Sequence, residues 1–427
     1  MEGRRIRILV LLSLSELLAM SLWFVGSVII ADRGSAGAAA SQRWLAGRSW
    51  LTIAVQLGFV AGALASALFS LSDHFRAPRV FAWSAILAAM ANLGVGAGIR
   101  PLEHFVTSGT GRLTVLLVVL CRGLTGVFLA GVYPTGMKIM AGWFRQGRGL
   151  ALGILIGALT IGSASPHLLW VVSATVLPLP PGGLVLTASV SALLSAVIVA
   201  IAIAEGPYAV PQPPFDWRQM GQAFRNRELR LANLGYLGHM WELYSMWSWI
   251  AVLLAASQPG APRARVELAA FAAIAIGFLG CAAAGWASDR ISEGSPGRRR
   301  LQPGGTVAGR ARVTELAMAV SGSCAVAVAV LFTHPRALMC VVLVWGIFII
   351  ADSAQFSAAI SELADPRYVG TALTTQVAFG FLLTAVSIRA VAAVSAAWGW
   401  RWAAVAMAPG PVLGAWAMRR LEKSQLR

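Results

Sequence analysis

The chain has 427 residues, 58% of them apolar and 12% charged, with a mean hydropathy of +0.73. Soluble domains carry roughly 25% charged and roughly 45–50% apolar residues, so this composition excludes a soluble enzyme, a disordered chain and a small disulfide scaffold. The formal net charge of +17, from 34 basic and 17 acidic side chains, raises nucleic acid as a partner, but in so apolar a chain the excess belongs in loops on the cytoplasmic side of a membrane.

Apolar runs of about 20 residues, the length that crosses a bilayer, recur along the chain. They predict twelve helices, over 8–31, 49–72, 80–99, 113–134, 149–173, 183–204, 229–255, 268–288, 313–333, 338–360, 369–393 and 399–418. Lipid offers no partner for free backbone groups, which favours closed helices. The first run follows Arg4, Arg5 and Arg7 and precedes Ala38-Ala39-Ala40, as a signal peptide would. It is too long for such a segment and contains Glu16, so it reads as a retained span. With a cytoplasmic N-terminus, loops on that side hold about 23 basic residues against about 9 on the other. That asymmetry predicts cytoplasmic termini and an even number of crossings.

The loop over 205–228 divides the chain into an N-terminal unit, 1–204, and a C-terminal unit, 229–427. Pro207, Pro211, Pro213 and Pro214 make its first part extended. Trp217, Met220 and Phe224 then fall at helical spacing beside Arg218, Arg225 and Arg227. They predict either a short helix on the cytoplasmic membrane surface or a solvated linker. Cys121, Cys281, Cys324 and Cys340 all lie in apolar runs without ligand spacing, as small apolar fillers do. No metal site, cofactor signature, P-loop or Ser/His/Asp set is visible, which argues against an enzyme and against an ATP-driven pump.

Span one reads Glu16-Leu17-Leu18-Ala19-Met20-Ser21-Leu22-Trp23, and span seven reads Glu242-Leu243-Tyr244-Ser245-Met246-Trp247-Ser248-Trp249. Gly126-Val127-Phe128 matches Gly346-Ile347-Phe348, and Gly149-Leu150-Ala151-Leu152 matches Gly370-Thr371-Ala372-Leu373. All these pairs lie about half the chain apart, which predicts a duplication. Six spans per half keep one orientation, so the halves are expected to be parallel repeats.

Several stretches resemble the major facilitator superfamily. Arg122-Gly123-Leu124-Thr125-Gly126 resembles its fourth-helix Arg-x-x-x-Gly motif, and Gly285-Trp286-Ala287-Ser288-Asp289-Arg290 resembles its Gly-x-x-x-Asp-Arg loop motif. The first-half counterpart keeps Asp73 but has Phe69 for Gly and His74 for Arg, with Arg76 and Arg79 supplying charge. The run from Tyr133-Pro134 through Lys138, Trp143-Phe144 and Arg148-Gly149 to Gly153, Gly157 and Gly162 is similar to bacterial branches with anion symporters and nitrate/nitrite porters. The Asn-containing, Gly-dense signature of a nitrate porter is missing. The antiporter fifth-helix motif is partial, with Gly153, Gly162 and Pro166 but no Gly-Pro pair. The resemblance implies an all-α membrane fold of twelve transmembrane helices in two six-helix repeats, which rock around a central site. It also implies a part for Arg122 in coupling and a cytoplasmic gate at Asp73, Arg76, Asp289 and Arg290.

An ionisable side chain in lipid costs at least roughly 2.5–3.5 kcal/mol, so one that is present should face the bundle interior. Glu16 and Glu242 are candidate proton sites or, alternatively, neutral packing groups. His239, three residues before Glu242, forms a relay with it or a structural hydrogen bond. Arg122 needs a counter-charge or an anionic substrate, and Asp352 is a candidate partner for a basic group across the bundle or a cation site; with Glu16, His239 and Glu242 they are the proton-coupling candidates. Trp23, Arg122, Tyr133, Tyr244 and Gln355 are the candidate substrate contacts. Aromatic packing is the alternative for the rings of span seven. His167 reads as a satisfied structural histidine. The expected function is a monomeric, proton-coupled secondary transporter in the cell inner membrane, moving a small molecule, with uptake of a small anion ahead of export of a lipophilic compound. A non-transporting sensor or scaffold is the other class.

Overall fold

The computed structural model describes residues 2–29, 38–98, 112–180, 182–208, 215–293 and 304–426. Among them every regular element is a helix and no strand occurs. α1 (Glu2–Met20) stops in a turn, and a single further turn, α2 (Gly26–Ile29), follows. Then come α3 (Ala38–Leu68), the short α4 (Leu71–His74) and α5 (Ala77–Ala97). The first free N–H of α5, on Ala77, donates to Glu205 Oε1 at 2.9 Å.

α6 (Arg112–Leu129) and α7 (Tyr133–Trp143) form one interrupted rod. The expected span ends at Pro134, whereas Pro134 lies in the first turn of α7, where its missing N–H has no helical partner to lose. α8 (Arg148–Thr175) and α9 (Gly183–Ala202) complete the first half. The central connection holds a 3-10 turn, Trp217–Gln219, and the single-turn α10 (Gln222–Arg225) rather than a surface helix over 215–228. Asn226 ends it, with extended backbone, because its side chain accepts from the N–H groups of Glu228 and Leu229 and so starts α11 (Arg227–Ser257).

The second half contains α12 (Arg263–Ala275), α13 (Gly277–Glu293), α14 (Gly304–Val330), α15 (Pro335–Ala351), α16 (Ser353–Leu363), α17 (Val369–Trp398), α18 (Trp400–Val405) and α19 (Pro409–Gln425). Each tract expected to span is mainly helical over its described residues, with turns, as at 21–25 and 406–408. Among the described residues nine are long and apolar enough to cross a membrane, and the protein is an all-α, multi-pass membrane protein. The others are α1, α11 and α19. α1 and α11 carry Glu16, His239 and Glu242, while α19 ends in Arg419, Arg420 and Lys423. α11 is buried along most of its length from Gly235 to Leu254, so protein surrounds its polar groups.

Close crossings set the packing. A Cβ on Gly126 would sit 2.0 Å from Val55 O, and one on Gly58 would sit 1.9 Å from Gly123 O, so α3 and α6 touch backbone to backbone. In the second half, Gly280 and Gly346 bring α12 and α13 equally close to α15, with 1.9 Å to Ile347 O and 1.8 Å to Ala273 O. Small residues at such points let neighbouring helices approach without a hydrophobic force to drive them. Both chain ends lie beside the central connection. Arg5 donates to the Tyr208 hydroxyl at 2.9 Å and Gln425 to Glu228 at 2.6 Å. That side is called the linker face below.

Candidate functional site

Where α1 stops at Met20, the carbonyls of Leu22 and Trp23 lose their helical partners. Arg122, fully buried on α6, supplies the donors instead. It donates to Leu22 O at 2.8 Å, to Trp23 O, to Leu51 O at 3.2 Å and to Asn92 Oδ1 at 3.1 Å. Asn92 is held in turn by donation to Val185 O and Ser189 Oγ. Among the described residues no carboxylate lies within ion-pair distance of Arg122. The expected counter-charge is replaced by carbonyl dipoles at the negative end of α1. The guanidinium faces backbone on several sides.

Just past that break, six buried rings meet. Trp23 and Phe24 come from the α1–α2 turn, Phe59 from α3, Tyr244 and Trp247 from α11, and Phe381 from α17. Their centroids lie 4.5–6.1 Å apart, Phe59–Phe381 being the closest pair and Phe24–Tyr244 the most nearly stacked. Each half of the chain contributes three. Trp23 and Tyr244 are thus brought together.

The ionisable groups lie nearer the linker face. Glu16 is fully buried, and neither carboxyl oxygen has a hydrogen-bond partner among the described residues. Its Oε2 lies against Gly136 of α7, where a Cβ would come within 2.6 Å. The Tyr133 phenol lies within electrostatic reach of Glu16 and of Cys281 in the other half. Glu242 is the opposite case. It accepts from Ser321 Oγ at 2.8 Å and from Trp345 Nε1 at 2.9 Å. Two residues at matching places in the chain therefore sit in different chemistry, one carboxyl bare and one doubly hydrogen-bonded.

The expected His239–Glu242 relay is corrected by the structure: His239 Nδ1 lies 2.9 Å from Asp352 Oδ1, with both side chains buried. Asp352 marks the break between α15 and α16, which frees it to turn toward α11. Gln355 does not join the rings. Its Oε1 accepts from Arg310 at 3.0 Å, and the same guanidinium reaches Ser288 and Glu362. Asp365, in the turn between α16 and α17, is held at about 2 by the Arg367 guanidinium, so it stays a carboxylate at ordinary pH.

The two faces are fastened across the halves in different ways. On the linker face Asp289 of α13 accepts from Gly149 N–H at 2.9 Å and Leu150 N–H at 2.8 Å, capping α8 from the other half. Gly153 continues that contact, since a Cβ there would meet Cys281 O at 2.4 Å. Arg290 instead lies over the Trp286 ring at 4.1 Å and is exposed. Arg76 is exposed at the start of α5, and the Asp73 side chain falls outside the described residues.

On the opposite face one turn of α12 does the fastening. Glu267 Oε2 lies 2.5 Å from His167 Nδ1 on α8, and both are buried. Arg263 pairs with Glu267 at 3.1 Å, donates to Val28 O at 2.9 Å and lies 4.2 Å over the Trp170 ring. By apolar run length Arg263 and Glu267 fall in a loop before the eighth span, and His167 stands alone on the fifth. The available signal is a pair of opposite charges four residues apart, just ahead of an apolar run. Glu267→Gln weakens the buried pair, and breaking such pairs is strongly destabilising. We expect a cysteine at Ala164, buried on α8, in a background without native cysteines, to react about ten-fold or more faster with a membrane-impermeant maleimide. An unchanged rate excludes a clasp here.

No family model matches the chain, and no curated protein matches it. Among the described residues no group of three or more His, Cys, Asp and Glu stands where it could hold a metal ion.

Proposed function

We propose that the protein is a proton-coupled secondary transporter of the major facilitator type, with twelve crossings in two six-helix repeats and alternating access. The observation that carries this is Glu16, a carboxyl fully buried in a membrane helix with no hydrogen-bond partner among the described residues. A permanent charge there is costly, and plain packing does not require one. Glu242, His239 and Asp352 supply ionisable groups in the second half, and Tyr133 is within electrostatic reach of both Glu16 and Cys281 of that half. Loading and release of a proton across this strip would bias which face opens. The matched small-residue crossings, α3 with α6 and α12–α13 with α15, support the repeat. Separate polar fastenings on the two faces suit halves that part at one end at a time. The basic loops favour a linker face in the cytoplasm, cytoplasmic termini and a bacterial inner membrane. The chain works in this reading as a monomer.

Uptake of a small anion loses its main support, because Arg122 is already committed to carbonyls. The test is proton movement in reconstituted vesicles on addition of compounds from a panel of anions and lipophilic cations. We expect movement with wild type and none with the Glu16→Gln, Glu242→Gln double variant, which keeps both shapes without the acid. Proton movement equal to wild type in the double variant would sink the coupling.

A further inference from the structure

We infer that the six-ring centre binds a planar aromatic compound of neutral or positive charge that carries hydrogen-bond acceptors. This rests on the transporter reading and names the substrate class of its site. A cluster of rings alone would be packing. The indole N–H groups say more. Trp143 donates to Ala204 O, Trp241 to Ala406 O, Trp249 to Ile388 O and Trp345 to Glu242. The protein satisfies those four. Within the ring centre, Trp23 and Trp247 are buried with no acceptor for Nε1 among the described residues. Trp44 shares that property, but it lies outside the ring centre, beneath the Arg48 guanidinium.

A buried N–H without a partner costs about 1–3 kcal/mol. An indole is a donor only, so what completes Trp23 and Trp247 is an acceptor such as a carbonyl, ether or ring nitrogen. Two orphaned amides sit on the helices that bring the rings. Gln56 of α3 and Gln376 of α17 are buried, and neither the oxygen nor the nitrogen of either has a partner among the described residues. Each amide carries an acceptor as well as donors.

Charge is settled by what faces the rings. Aromatic faces attract cations and repel anions. The guanidinium behind Trp23 is turned onto its carbonyl oxygen and those of Leu22 and Leu51. A carboxylate or nitrate entering the centre would meet ring faces and indoles, while the buried cations are engaged elsewhere, Arg122 on carbonyls and Arg48 over the Trp44 and Trp249 rings. The rings are packed on one another here, with Phe59 and Phe381 4.5 Å apart across the halves, so a flat aromatic molecule stacks on them as the halves part. Because three rings come from each half, a bound molecule touches both, and its arrival is felt by the seam that must move.

The experiment is binding of rhodamine 6G, a planar xanthene cation with an ester carbonyl, to the full-length purified protein, read by fluorescence anisotropy. Trp23→Phe and Trp247→Phe keep a ring and remove the N–H. Each should weaken binding about ten-fold, the loss of roughly one hydrogen bond. Trp416→Phe, on an exposed face of α19, should bind as wild type, and excess nitrate or benzoate should not displace the dye. Equal affinity in all three variants, or displacement by either anion, overturns the assignment. The two readings fail separately. Dye binding with the expected variant pattern but no dye-driven proton movement in vesicles supports the site and sinks coupled transport. Nitrate-driven proton movement supports transport and sinks this substrate class.

Discussion

Arg122→Met is expected to destabilise the protein by about 3–5 kcal/mol, because it strands several buried acceptors at once. The substitution fills much of the volume but leaves Leu22 O, Trp23 O and Asn92 Oδ1 without their donor, and Leu51 O without its side-chain bond. Each buried acceptor so stranded costs about 1–3 kcal/mol, and some relax. The positive charge opposite the C-terminal end of α1 goes as well. Arg122→Lys should recover less than half. An ammonium is a compact point charge, whereas these acceptors lie on α3, on α5 and in the turn after α1, and need a planar fork to reach them together. Thermal unfolding in detergent measures this. A Lys variant as stable as wild type would mean that charge alone holds the site. A stable Lys variant that has lost proton coupling would return Arg122 to the mechanism.

Much of the fold is legible from apolar run lengths. The lapses are physical. The second apolar run starts at 49, whereas α3 begins at Ala38, because Ser41, Gln42, Arg43 and Arg48 have the composition of a loop. A helix does not need apolar residues once it has left the lipid. α11 falls short on apolar length although it is buried, since run length measures contact with lipid and this helix contacts protein. The repeat of Glu16 to Trp23 at Glu242 to Trp249 is what points to it.

The site is less legible. The cost of burial flags Glu16, Glu242, Arg122 and Asp352, and all four are buried. Their partners are another matter. His239 meets Asp352 rather than the Glu242 one turn away, because the break after Ala351 redirects Asp352. Arg122 meets carbonyls that exist as acceptors only because α1 is broken, and residue type does not mark a free carbonyl. Phe59 and Phe381 give no signal at all; each is one apolar residue in a long apolar run, and only the fold brings them within 4.5 Å.

The second large effect is expected at the helix crossings, from the smallest change that can be made. Gly126→Ala places a methyl 2.0 Å from Val55 O and 2.9 Å from Phe59 N, and Gly346→Ala places one 1.8 Å from Ala273 O. These neighbours are backbone, so no rotamer change relieves the clash and whole helices must separate. Overpacking typically costs about 1–3 kcal/mol and occasionally more, and rigid neighbours put these two at the upper end. Alanine also favours helix by about 1 kcal/mol over glycine, which works against the loss and makes it the conservative choice. Gly3→Ala and Gly221→Ala serve as controls, since nothing lies within 4 Å of the added carbon. We expect melting temperatures to fall for Gly126→Ala and Gly346→Ala, and to hold or rise for the controls. If the two halves are built alike, the two losses should be similar in size. A loss confined to one half would mean that the shared Gly-x-Phe sequence does not mark a shared joint, and the duplication would lose its structural support.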